Sequence, residues 1–341
     1  REAQARMEEH LSAAGGELLA EVRARVATVT LNRPAALNAL SYEMLRGLRA
    51  WLDAWEEDER VRMIVLRGAG EKAFCAGGDI RALYASHKAG NPGHRDFFEV
   101  EYALDYRIHT YPKTIVAVMD GIVMGGGMGI AQGAGVRIVG DRTKMAMPET
   151  GIGLFPDVGG SHFLSRVPGK LGLYLGLVGP TLGAADALYC GLADVYVGDG
   201  ALPAPELEAL RPAIDEHFAH DSVAGIVASL QAQKRPAHGA WAAKTLATLA
   251  KRSPTMLCVT LEQLKRGADM PPADCFRMEL NLIHACFEQG DFMEGIRALI
   301  IEKDNQPHWN PGRIEDVEPS AVEGFFRPRW APGQHPLASL A

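Results

Sequence analysis

Two glycine-rich stretches, Cys75-Ala76-Gly77-Gly78-Asp79 and Met124-Gly125-Gly126-Gly127-Met128, decide how this chain folds. Gly78 and Gly126 stand 48 residues apart. Each stretch follows an apolar run that reads as a buried strand: Arg62–Leu66 before the first, Thr114–Met119 and Ile122–Met124 before the second. Each is predicted to open a helix. The first amides of a helix have no internal partner, and the helix dipole favours negative charge beside them. Two such turns, brought together, supply two N–H donors for a developing oxyanion. Two acids follow, in Met147-Pro148-Glu149-Thr150 and Phe155-Pro156-Asp157-Val158-Gly159-Gly160. Carboxyls there are suited to proton transfer or nucleophilic attack, and the set points to carbonyl or thioester chemistry.

Working outward, Val26–Leu31 is a β-branched run stopped by Asn32-Arg33-Pro34. Leu37, Leu40, Met44, Leu48, Trp51, Leu52 and Trp55 then recur at three- and four-residue spacing, predicting an amphipathic helix with its stripe on a core. Val136–Val139 and Lys144–Met147 read as further short strands. Strand, strand and helix recur with little strict alternation, as expected of an α/β chain whose sheets are covered on both faces. No G-x-G-x-x-G turn and no ribose-binding acid is present, so no dinucleotide site is expected. From Ala201 the character changes. A proline-punctuated connection, Leu202–Leu207, leads into a mostly helical remainder. Ser253-Pro254 starts one helix, Asp274–Gln289 forms another, and Asp291-Phe292-Met293-Glu294 has the capping-box spacing for a third through Ile301. The expected organisation is a core over 17–200 and a mainly helical extension over 201–341 that caps the site.

The chain has 341 residues, 47% hydrophobic and 23% charged, enough for a large core. Its net charge of −7 and scattered Arg and Lys argue against a phosphate-tracking nucleic-acid binder. Five cysteines form no C-x-x-C pair, which suits a reducing compartment, and no metal-ligand spacing is seen among them or the histidines. Cys75 is expected to be a buried, inert thiol, and Asp79 a structural acid at a helix start. No apolar run approaches the roughly 20 residues that span a bilayer. Arg1–His10 lacks the apolar core of a secretory signal, and the absent initiating Met is expected to reflect trimming or added residues. The expected location is cytoplasmic, or the mitochondrial matrix if the source is eukaryotic.

The ordered motifs F-C-A-G-G-D-I, G-I-V-M-G-G-G-M-G, M-P-E-T, G-L-F-P-D-V-G-G, A-D-A-L-Y-C-G-L-A-D and D-F-M-E-G-I-R-A-L resemble the crotonase (enoyl-CoA hydratase/isomerase) superfamily over about residues 17–315. The resemblance implies a ββα spiral followed by a helical C-terminal region that usually supports oligomerisation. It implies that Gly78 and Gly126 N–H bind a thioester oxygen, each contributing about 3–4 kcal/mol in the transition state. Leu37, Ala39, Ala76 and Ile80 would bracket the coenzyme A arm. Glu149 matches the acid that many members use. Hydratases carry a second glutamate in the form G-G-G-x-E, and here that position is Gly129. Asp157 and Glu101 instead match a branch that hydrolyses short, branched 3-hydroxyacyl-CoA thioesters. There Asp157 orients water or relays a proton, and Glu101 binds the substrate hydroxyl. Whether Glu149 attacks the carbonyl or activates water stays open. No metal and no cofactor beyond the coenzyme A of the substrate is implied. The expected partner is an acyl-CoA, with no nucleic acid, no membrane and possible homo-oligomerisation. The competing readings are another crotonase-type reaction (hydration, isomerisation or decarboxylation) and a non-catalytic acyl-CoA-binding protein.

Overall fold

The computed structural model describes residues 8–341. Residues 1–7, part of the start read as lacking a signal, lie outside the described residues. Along the chain run β1 (Glu9–Ala13), β2 (Leu18–Arg23), β3 (Val26–Leu31), α1 (Tyr42–Trp55), β4 (Met63–Gly68) and β5 (Ala73–Cys75). Next come α2 (Ile80–Lys88), α3 (Gly93–His109), β6 (Thr114–Met119), β7 (Ile122–Met124), α4 (Gly126–Gln132), β8 (Val136–Val139) and β9 (Lys144–Ala146). Then follow α5 (Gly160–Phe163), α6 (Leu171–Val178), α7 (Ala184–Tyr189) and β10 (Val195–Tyr196). The remainder is helical: α8 (Glu206–His217), α9 (Val223–Gln231), α10 (Gly239–Leu249), α11 (Pro254–Gly267), α12 (Pro272–Glu288), α13 (Phe292–Ile296) and α14 (Pro319–Phe326).

The chain divides into two interleaved compact units. The first holds the chain up to Asp79, Val100–Met145 and Thr181–Ala204; the second holds Ile80–Glu99, Ala146–Pro180 and Pro205–Ala341. The contiguous division at 200/201 follows the sequence, whereas these units exchange the chain several times.

In the first unit the larger sheet has the order β1-β2-β3-β4-β6-β8-β10, and a smaller one the order β5-β7-β9. β1, β2 and β3 pair antiparallel, and β3-β4, β4-β6, β6-β8 and β8-β10 pair parallel. Successive turns of chain lay one strand in the large sheet and the next in the small one: β4 then β5, β6 then β7, β8 then β9. This is the ββα spiral. Its core is built from Leu18, Ala27, Val29, Leu31, Ile64, Leu66, Ile115 and Ala117, all essentially sealed from solvent. β2 alternates buried Leu18, Ala20 and Val22 with more open Leu19, Glu21 and Arg23, as an antiparallel strand with one covered face should.

The helix predicted from Leu37 starts later. Leu37 and Asn38 have φ of +52° and +58°, outside a right-handed helix, and α1 begins after Ser41, whose Oγ accepts from Met44 N at 3.2 Å. Asn38 explains the detour: its side-chain amide donates to the carbonyls of Ala69 (3.0 Å) and Ala73 (2.9 Å). Leu40 therefore belongs to a strand-like bridge with Gly78 and not to the helix. The helical stripe that is buried consists of Met44, Leu45, Leu48, Leu52 and Trp55.

In the second unit α11 starts as read, with Ser253 Oγ accepting from Met256 N at 3.2 Å and Pro254 in the first turn. The capping box at Asp291 does not form. Its carboxylate accepts instead from Ser253 Oγ (2.7 Å) and Asn310 N (3.0 Å), and α13 ends at Ile296 in a π turn over Arg297–Ile301. Gly295 is required where it stands, because a Cβ would fall on the Ile152 carbonyl oxygen.

Candidate active site

In the first unit the two glycine turns lie side by side. Ala76 N donates to Leu37 O (3.0 Å), Leu40 N to Gly77 O (2.7 Å) and Asp79 N to Leu40 O (2.9 Å). Leu37 and Ala76 are thereby joined, while Ala39 uses its carbonyl to hold Arg33 Nη1 at 2.8 Å. Ile80, expected with them, opens α2 and belongs to the second unit. Gly77 (φ +123°) and Gly125 (φ +52°, ψ −121°) take backbone conformations that L-residues rarely adopt. A Cβ on Gly126 would sit 3.3 Å from Gly78 N and 2.9 Å from Glu101 Oε2, and one on Gly77 would sit 3.6 Å from Gly126 N. The two amides and the Glu101 carboxyl thus occupy one spot. Among the described residues, neither amide donates in a turn, loop or cap hydrogen bond. A Cβ on Gly127 would land on the Cys75 carbonyl, so Gly127 permits α4 to pack against β5.

Glu101 is only 2% exposed although it is charged at neutral pH in water, and Asp105, one helical turn further along α3, is as deeply buried. Sequence reading missed Asp105. Its signal was an i,i+4 pair of acids among Phe97, Phe98, Tyr102, Leu104 and Ile108, where a solvated face should not be. Burial pushes the Cys75 thiol up to about 12, with Glu101 and Asp105 adding to the shift. A thiol so held is a poor nucleophile, as expected for an inert core cysteine.

In the second unit Glu149 opens a single 3₁₀ turn, Glu149–Ile152, and is buried. Among the described residues, neither of its carboxyl oxygens has a hydrogen-bond partner. Burial first, and the neighbouring Asp157 charge second, raise its pKa well above 4.5; Arg252 opposes and Glu279 adds to the rise. An unpartnered buried carboxyl is costly, and such groups concentrate at functional sites. The turn around it is fastened on several sides. Thr150 Oγ1 donates to Leu177 O (2.8 Å), Ser253 N to Thr150 O (3.2 Å), and Arg252 Nη2 to Val178 O (2.7 Å).

Asp157 is also buried. The short helix α5 that follows begins at Gly160, with Gly159 as its N-cap residue. Its free amides are received by another helix: Glu279 of α12 accepts from Gly159 N (2.8 Å) and Ser161 N (3.1 Å). Burial pushes Glu279 up to about 8, while the Ser161 hydroxyl and the Gly159 and Ser161 amides pull back against that. Glu279, Gln263, Arg252 and Asp291 were not foreseen as site residues. For Glu279 the trace was a lone acid between Phe276, Leu280 and Leu282 on an apolar face. The second unit also has a surface cleft of about 560 Å³, lined by Lys170, Asp221, Cys258 and Lys265 among others; no predicted site residue lines it. Among the described residues one group near the surface, Glu8, His10 and half-buried Glu21, brings candidate metal-ligand atoms within 4.8 Å of one another.

The ββα spiral with its adjacent glycine amides in the first unit, and the buried carboxyls of raised pKa in the second, each suit an enzyme that works on acyl thioesters. The chain belongs to the enoyl-CoA hydratase/isomerase family, whose model matches residues 26–206 and 198–326. Among its relatives, the 3-hydroxyisobutyryl-CoA hydrolase, mitochondrial, of Gallus gallus is 40% identical, the match covering 92% of this chain and 89% of that one. Two solved structures share the fold closely. An enoyl-CoA hydratase from Rhodobacter sphaeroides 2.4.1 is 39% identical with a TM-score of 0.87, over 92% of this chain and 98% of that one. A carnitinyl-CoA dehydratase from Mycobacterium thermoresistibile is 41% identical with a TM-score of 0.86, over 92% and 96%. The names of these relatives span hydrolysis, hydration and dehydration, so the choice among reactions turns on individual residues.

Proposed function

We propose that this chain hydrolyses the thioester of a short, branched 3-hydroxyacyl-CoA, 3-hydroxyisobutyryl-CoA above all, to the free 3-hydroxy acid and coenzyme A. The observation that carries the reading is Gly129, buried in α4 at the position where hydratases of this superfamily bear their second carboxylate. Moving water syn across a double bond needs two carboxylates so placed, and a glycine there has none to offer. The Gallus gallus relative bears the corresponding hydrolase name.

The residue roles are those that the family resemblance implies. Gly78 and Gly126 N–H receive the thioester oxygen as it gains negative charge. Glu149 serves in one of two ways. Its carboxylate adds to the acyl carbon, the C–S bond breaks, and water then splits the mixed anhydride; or it takes a proton from water, whose oxygen adds instead. Asp157 orients that water and relays a proton to the departing thiolate. Glu101 accepts a hydrogen bond from the 3-hydroxyl. Leu37, Ala39, Ala76 and Ile80 bracket the coenzyme A arm. The reaction requires no metal and no cofactor beyond the substrate's own coenzyme A. The reading carries no nucleic-acid or membrane partner, admits a homo-oligomer, and suits a cytoplasmic or matrix enzyme; among the described residues no helix is long and apolar enough to cross a membrane.

The deciding assay follows thiol release from 3-hydroxyisobutyryl-CoA, with loss of conjugated absorbance from crotonyl-CoA measured alongside. Thiol release without crotonyl-CoA hydration is expected; hydration without thiol release would sink the reading. A narrower test addresses Glu101. Glu101→Gln is expected to raise KM for the 3-hydroxy substrate by about tenfold and leave isobutyryl-CoA almost unchanged, since only the former loses a charge-assisted hydrogen bond. Equal effects on both thioesters would remove Glu101 from hydroxyl recognition.

A further inference from the structure

The loop that carries Asp157 is strained and held from outside. Val158 adopts φ +54°, a left-handed conformation that is a genuine outlier for a β-branched residue, and Gly159 follows at φ +94°. A strained turn persists only where its surroundings over-determine it. Two buried polar side chains do so here. Gln263 of α11 donates through Nε2 to Pro156 O (2.8 Å) and Ser161 Oγ (2.8 Å), gripping the loop on both sides of Asp157. Glu279 of α12 accepts from Gly159 N and Ser161 N, 120 and 118 residues away in sequence. Both side chains are fully buried. α11 can approach this closely because Gly267 has no side chain; a Cβ there would fall on the Ser161 carbonyl. A clamp of four hydrogen bonds from two helices exceeds what a simple cap of the four-residue helix α5 would need.

We propose that Glu279 and Gln263 are positioning residues for the hydrolysis, clamping the Pro156–Ser161 turn so that the Asp157 carboxyl is presented in a single orientation. The proposal rests on the assignment of Asp157 to the reaction. Neither residue touches substrate; each acts through the loop backbone. The physical demand is strict, because a displacement of about 1 Å in a reacting group costs on the order of 10²-fold in rate.

The test is a double-mutant cycle of Glu279→Gln with Asp157→Asn, supported by Gln263→Met and read in kcat, KM and thermal midpoint. Glu279→Gln keeps the side-chain volume but turns one acceptor into a donor that opposes a loop amide. Gln263→Met removes both donated bonds at near-constant volume, and it carries the test if Glu279→Gln does not fold. Each single variant is expected to lower kcat on the order of 10²-fold, with KM within about threefold of the parent. Added to Asp157→Asn, Glu279→Gln is expected to cost less than about twofold more, because the group it positions is already gone. Lower thermal midpoints with kcat unchanged would overturn the proposal, as would losses that multiply in the double variant. Full activity of Asp157→Asn would overturn it from the other side, by removing Asp157 itself from the chemistry.

Discussion

Glu149→Gln is expected to lower kcat for 3-hydroxyisobutyryl-CoA hydrolysis by on the order of 10³-fold or more and, at neutral pH, to raise the thermal midpoint. Both effects have one origin. Glu149 is buried without a hydrogen-bond partner among the described residues, so its ionised form is disfavoured in the folded chain. Its folded pKa lies well above the unfolded value of 4.5. Between those two values the native state binds more protons than the unfolded state, and stability falls as pH rises through the window and stays lower above it. The amide of Gln carries no such penalty, so the variant gains most over the parent at pH above the folded pKa and least near pH 4. Activity runs the opposite way, because attack and water activation both need the carboxylate. The limb of kcat/KM against pH that rises with Glu149 ionisation is therefore displaced above the ordinary carboxylate range. Thermal melts and initial rates across the same pH series check both statements. A variant no more stable than the parent at pH 8 would show that Glu149 is comfortable where it sits, and an active one would remove it from the mechanism.

Gly126→Ala is expected to lower kcat/KM by on the order of 10²- to 10³-fold while the chain stays folded, the cost of disabling one oxyanion donor. The added methyl would stand 3.3 Å from Gly78 N and 2.9 Å from Glu101 Oε2, between the Gly78 amide and the Glu101 carboxyl. The carboxyl of Glu101 ends a flexible side chain and can yield, so the fold survives; the donor pair is what the methyl obstructs. Its neighbour behaves differently. A methyl at Gly127 meets the Cys75 backbone, which cannot move without shifting β5. Circular dichroism of both variants, with thiol release from Gly126→Ala, separates the two cases. Undiminished turnover by folded Gly126→Ala would end the oxyanion-hole assignment.

Much of this was legible in the residues themselves. Val26–Leu31, Thr114–Met119 and Ile122–Met124 are strands where β-branched runs placed them, and Gly126 and Ser253 begin helices as their turn and cap chemistry requires. Local rules failed where a polar side chain had a better distant partner. Asn38 reaches the Ala69 and Ala73 carbonyls, which delays α1 past Leu37 and Leu40. Asp291 answers Ser253 and Asn310 and so leaves its own helix uncapped.

Spacing and residue type alone settled the strand–strand–helix order and the two glycine turns, because these depend on backbone freedom and periodicity within a few residues; Glu149 and Asp157 stood out as acids beside them, and Glu101 entered only through the family resemblance. The tertiary structure alone decided that Asp105 and Glu279 are buried, that Glu149 lacks a hydrogen-bond partner among the described residues, and that Gln263 and Glu279 grip one strained loop. A buried polar group must be satisfied by whatever the fold brings beside it, often more than a hundred residues away, and no local pattern encodes that partner.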